Sequence, residues 1–189
     1  MRRIRAVATI GLLLTTIMAV GSAAPAYAVP TKADFAAQAR DAGLTAAQAA
    51  SLQKRVNAYL VRTGGKQVAA NKIDLDGKGL LLLALPGEAR AREIGTPVAL
   101  ASTPCSERWF CAYSQQQYAG DLVEYYYCEY KLSMPFPALG SYKNRQTAGT
   151  SAHFYDGNGA YMYDSLAAPN SSTPFNWAWV WWVKPCGSV

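Results

Sequence analysis

The stretch "FCAYSQQQYAGD", residues 110–121, sets Tyr113 and Tyr118 five positions apart and places Gly120 two further on. Same-face residues recur every two positions in a strand and every three or four in a helix, so neither element puts both rings on one face. The spacing fits a chain folded back over its own turn. One ring covers the turn, and a residue without Cβ stands where φ goes positive. On either side the chain reads as short strands. Trp109 to Tyr113, Leu122 to Tyr130, His153 to Tyr155, Tyr161 to Asp164 and Trp177 to Val183 are aromatic or β-branched runs separated by turn residues. In "FYDGNGAYMY", Asn158-Gly159 offers the positive φ of a tight hairpin turn. Residues 105–189 are therefore expected to form an all-β sandwich.

Upstream the chemistry changes. Between Val29 and residue 100 the only aromatics are Phe35 and Tyr59, whereas five Trp, ten Tyr, four Phe and all four Cys lie beyond. Residues 96–104, small side chains between Pro97 and Pro104, read as a linker between the two regions. Residues 29–95 read as a small α+β region. Thr45 and Gln48 form a capping box, Ala49, Leu52, Val56, Tyr59 and Leu60 recur at helical steps, and Gly64-Gly65 ends the helix. A shorter helix is expected over Asp34 to Asp41. "KQVAANKIDL" and "LLLLALPG" flank Asp76-Gly77 as two strands of a hairpin. At about 65 residues this region sits near the lower limit for an independent core. It reads equally well as a pro-region or spacer and as a packing domain that shields its partner.

Residues 1–28 have the form of a secretory signal peptide: Arg2, Arg3 and Arg5, an uncharged run, then Ala26-Tyr27-Ala28 before the cleavage point. No later stretch approaches the roughly 18 apolar residues of a spanning helix. The mature protein is expected to be secreted and extracellular, with no membrane attachment. Three of the 18 Lys and Arg leave with the signal, against 12 acids that stay, so the mature net charge is +3. The excess lies in residues 29–95, away from the aromatics. No basic stripe is interleaved with aromatic residues, and nucleic-acid binding is not expected.

Four cysteines in an exported domain imply two disulfides with three possible pairings. Cys105-Ser-Glu-Arg-Trp-Phe-Cys111 is followed two residues on by Tyr113 and seventeen on by Cys128. This pattern resembles the secreted actinobacterial proteins grouped with the Streptomyces metalloproteinase inhibitor (peptidase inhibitor family 36). The resemblance covers about residues 105–166. It implies a βγ-crystallin-like Greek-key sandwich, with Tyr113, Tyr118 and Gly120 as its hairpin motif, and inhibition of an extracellular protease, specifically a metalloprotease. It also implies a Cys105–Cys111 disulfide, leaving Cys128–Cys186, with Cys105–Cys128 open as a rival. The region "HFYDGNGAYMY" departs from the family, because it does not repeat the aromatic-x4-aromatic-x-Gly pattern.

Little else carries chemistry. The single histidine, His153, sits in an apparent strand beside Phe154 and Tyr155 with no nucleophile in a recognisable motif. Asp121, Glu124, Glu129, Asp156 and Asp164 read as an ordinary surface complement of acids. No catalytic residue, cofactor or metal is expected. "KNRQTAG", Lys143 to Gly149, stands where crystallin-like domains bind calcium, but it brings Lys143 or Arg145 to a position that needs an oxygen ligand. In "FNWAWVWWV", a strand would place Trp177, Trp179 and Trp181 on one face and Trp182 on the other. These four are the candidate binding residues, as core, as a platform for sugar rings or as a contact patch for a partner. The expectation is a noncatalytic proteinase inhibitor whose inhibitory loop the sequence does not name. The alternatives are a cell-wall or glycan-binding module and a secreted antimicrobial βγ-crystallin-like toxin.

Overall fold

The structure, a computed structural model, describes residues 31–96 and 105–187. The signal peptide and nearly all of the linker lie outside the described residues. Helix α1 (Lys32–Asp41) starts at Thr31, whose hydroxyl and Asp34 close a capping box. Helix α2 (Ala46–Thr63) starts with the Thr45–Gln48 box and stops at Gly64, where φ is +70°. Both boxes satisfy backbone N–H groups that have no partner inside a helix.

Among the described residues eleven strands follow: β1 (Lys66–Ala69), β2 (Lys72–Asp74), β3 (Gly79–Leu82), β4 (Phe110–Tyr113), β5 (Leu122–Tyr125), β6 (Leu132–Ser133), β7 (Leu139–Asn144), β8 (Ser151–Tyr155), β9 (Tyr161–Asp164), β10 (Asn170–Asn176) and β11 (Trp182–Gly187). They form two antiparallel sheets, one of seven strands in the order β1-β2-β3-β5-β4-β7-β10 and one of four in the order β6-β11-β8-β9. The fold is therefore mostly β, with a small α+β region at its start.

Three expected strands differ. "KQVAANKIDL" is two strands, because the chain turns at Ala70-Asn71. Asn71 is fully buried there, and its Nδ2 donates to Leu83 O (2.8 Å) and Arg92 O (2.8 Å). The strand starting at Leu122 ends at Tyr125, and residues 126–131 leave the sheet. Trp177 to Val183 is not one strand. β10 stops at Asn176, the chain turns with Val180 N donating to Trp177 O (2.9 Å), and β11 begins in the other sheet.

The seven-stranded sheet joins both compositional regions. β3 pairs with β5 from Gly79↔Tyr125 to Leu82↔Leu122. One cross-strand row runs Ile73, Leu81, Val123, Ala112, Tyr142, all buried. Leu52 and Val56 of α2 and Phe154 and Val183 of the smaller sheet belong to the same core. The opposite side of β4 is covered too. Cys111, Tyr113 and Leu122 pack with Leu82, Ala91 and Cys105 in a second cluster. This explains why all four residues of β4 are buried.

Candidate functional site

The turn between β4 and β5 folds back as its sequence predicts. Gln117 and Tyr118 have φ near +57° and +58°, and Gly120 has +78°. The Tyr113 and Tyr118 rings meet edge to face at 5.5 Å. Ser141 of β7 clamps the turn, its Oγ accepting from Tyr118 N (2.9 Å) and donating to Gln115 O (2.7 Å). The disulfides are Cys105–Cys111 and Cys128–Cys186. The first closes the approach to β4, and the second ties the segment after β5 to β11.

That segment, Tyr126 to Lys131, is exposed at all six positions. A segment left free would be mobile, but this one is held at both ends and in the middle. Tyr126 N and Tyr127 N both donate to Lys78 O (3.3 Å each), and the Tyr126 ring lies 5.1 Å from Trp109. Cys128 is bonded to Cys186 at the centre. Tyr127 and Tyr130 stack nearly parallel, 5.5 Å apart, and the charge of nearby Glu129 raises the Tyr127 phenol above its usual range. Lys131 caps the Tyr155 ring at 3.9 Å and donates to Gly159 O (2.8 Å). Its side-chain entropy is thus spent in the free protein. The sequence predicts strand from Leu122 through Tyr130 here. The missed signal is that Tyr125-Tyr126-Tyr127-Cys128 shows no polar–apolar alternation.

The tryptophans divide. Trp177 is fully buried and its Nε1 donates to Tyr113 O (3.1 Å). Gly140 makes room for it, since a Cβ there would stand 2.6 Å from the indole nitrogen. Trp179, Trp181 and Trp182 are 70, 59 and 37 % exposed. The turn after β10 is what separates them, as a continuous strand would have kept Trp177 and Trp179 together. Beside the turn a cleft of about 230 Å³ opens, floored by Met134, Phe136, Trp177 and Val180, walled by Trp181 and Trp182, with Arg62 of α2 at its rim.

The other candidates are tied into the fold. His153 of β8 donates from Nδ1 to the Asp164 carboxylate of β9, and Tyr161 OH donates to the same oxygen (3.1 Å). Among the described residues no nucleophilic side chain bonds the imidazole. In the "KNRQTAG" stretch, Asn144 is buried and bridges three segments. Its Nδ2 donates to Thr150 O (2.8 Å) and Leu166 O (3.1 Å), while its Oδ1 accepts from Gln146 N (3.3 Å). Arg145 donates to Cys105 O (2.7 Å). Cys105, Cys111 and Glu124 approach one another, but the two sulfurs are bonded together and are not thiolates. Asp121 is not a surface acid. It is 5 % exposed and accepts from Arg55, Tyr59 OH (2.7 Å) and Ala84 N (2.9 Å).

No family model, no curated protein and no solved structure matches this chain.

Proposed function

We propose that this is an exported, noncatalytic proteinase inhibitor, and that Tyr126 to Lys131 is the loop that enters the protease cleft. One observation carries the reading: six consecutive residues are exposed yet pinned at both ends and at Cys128. A loop already ordered in the free protein binds without the ordering cost that an ordinary substrate meets. If it is cut, the disulfide and the two flanking sheets hold the pieces in place, so the products do not leave. The two-sheet body is, in the same reading, a βγ-crystallin-like Greek-key sandwich. Two disulfides suit the oxidising compartment to which the signal peptide directs the chain.

The first prediction tests this directly. The mature protein, titrated against secreted metallo-, serine and cysteine proteases, should inhibit a thermolysin-type metalloprotease near stoichiometry. Tyr127→Ala with Tyr130→Ala should weaken inhibition at least about tenfold, the scale of one interface anchor. His153→Gln should inhibit like the parent. Reducing the disulfides should convert the loop into a substrate. An absence of inhibition across the panel, or inhibition indifferent to Tyr127 and Tyr130, would reject the proposal.

A further inference from the structure

The tryptophan-walled cleft carries a second recognition chemistry that does not depend on the Tyr126–Lys131 loop. Met134, Phe136 and Val180 on its floor are at most 4 % exposed. A hydrocarbon floor penalises any ligand that carries hydroxyl groups into it, because their bonds to water are lost and not replaced. The hydroxyl among the lining residues, that of Ser133, donates to Arg62 O (3.3 Å), so what rests on the floor is apolar. The wall is fixed: Trp181 N donates to Tyr155 O (2.9 Å), Trp181 O accepts from Met134 N (2.9 Å), and the indole lies over Gly157, where a Cβ would stand 3.3 Å from the ring. The cation at the rim, Arg62, donates from Nη1 to Pro135 O (2.6 Å), which orients its guanidinium. No carboxylate among the described residues pairs with it. At about 230 Å³ the cleft is smaller than the roughly 300–1,000 Å³ of sites for drug-sized molecules, so it has room for one side chain.

We propose that this cleft captures the C-terminal residue of a protein partner, with an apolar side chain on the floor of Met134, Phe136 and Val180 and the α-carboxylate on Arg62. Trp and Arg are the residue types that dominate protein interfaces, and a guanidinium fork matches a carboxylate with two parallel hydrogen bonds. A chain end is where an apolar side chain and a free carboxylate share one residue.

N-acetyl-leucine serves as the probe, titrated into the full protein while indole fluorescence and amide NMR shifts are followed. It should saturate with a Kd on the order of 1 mM, the range for so small a ligand. N-acetyl-leucine amide should bind about tenfold more weakly, since it lacks the charge-assisted contact. Arg62→Gln should erase the difference between acid and amide, Arg62→Lys should restore part of it, and Trp181→Ala should weaken both. Equal binding of acid and amide, no saturation by either, or a difference that survives Arg62→Gln would overturn the proposal. A preference for glucuronic acid would overturn it as well, by assigning the cleft to an acidic sugar. Tyr127 and Tyr130 stand outside the cleft, so either proposal can fail without the other.

Discussion

Tyr59, Tyr113 and Tyr125 show how much of a residue's behaviour is set by neighbours distant in sequence. Burial raises all three phenols; at Tyr59 the Asp121 charge adds to it, and at Tyr113 that of Glu124. Tyr59 OH donates to Asp121 (2.7 Å) and Tyr125 OH to Ser133 O (2.6 Å), so both protons are used in bonds that the ionised form cannot make. In the unfolded chain a tyrosine ionises near pH ~10. Folded phenols hold their protons beyond that point, so above it the unfolded state binds fewer protons and stability falls as pH rises. Their contribution is complete below pH ~10 and is lost above it, at up to about 1.4 kcal/mol per group per pH unit. Denaturant midpoints should therefore drop steeply above pH ~10, and tyrosinate absorbance from these three should appear with unfolding. Full tyrosinate absorbance in a protein that is still folded would contradict this. None of the three partners could be named from sequence. Trp177 is a similar case: its type announces an anchor, but only the turn after Asn176 makes it core and leaves Trp179 outside.

Elements were legible where local physics decides them. The Thr45–Gln48 capping box, the Gly64 stop and the folded turn at Tyr113–Gly120 each depend on residues within a few positions; the Thr31–Asp34 box, equally local, starts α1 two residues before the expected Asp34. β7 and β10 were not legible. "LGSYKN" and "NSSTPFN" lack the β-branched and aromatic runs that mark a strand. β7 becomes a strand by pairing with β4 and β10, and β10 by pairing with β7. Pro174 is accommodated because β10 is the edge of its sheet and its register shifts between Ser172 and Phe175. The β4–β5 turn supplies a test at this scale. At Gly120 an added Cβ would stand 2.9 Å from Gln115 Cγ and nearer still to Ser114 Oγ, on a backbone at φ +78°. Left-handed backbone costs an L-residue roughly 1–2 kcal/mol, and overpacking adds about 1–3. Gly120→Ala should lower stability by about 3 kcal/mol. Unfolding that matches the parent would show that the turn has an alternative conformation.

Across the whole molecule, composition and structure divide the chain differently. Composition separates residues 29–95 from 105–189, and that change reflects where the aromatics are used. The two regions share one sheet and one core: Ile73 and Leu81 continue a row into Val123, Ala112 and Tyr142. Asp121 adds a polar joint. It binds Arg55 and Tyr59 of α2 and the backbone of Ala84, while Arg55 also donates to Ala84 O (2.9 Å). Long-range pairing of this kind leaves no trace in a single sequence, because β3 and β5 each look like an ordinary apolar strand. A protease site built into residues 97–104 and then cut should therefore leave two fragments that remain associated without denaturant. Separating them would open the β3–β5 ladder and expose Leu52, Val56, Leu81 and Leu83, each at most 1 % exposed in the folded chain. Asp121→Asn removes the charge that Arg55 and Tyr59 face. Breaking a buried pair costs roughly 3–5 kcal/mol, and the 37 % exposure of the Arg55 side chain brings the expected loss to about 2. The nicked Asp121→Asn protein should dissociate at lower denaturant than the nicked parent, measured by size-exclusion chromatography over a denaturant series. Fragments of the nicked parent that elute apart in plain buffer would show that residues 31–96 are a detachable spacer after all.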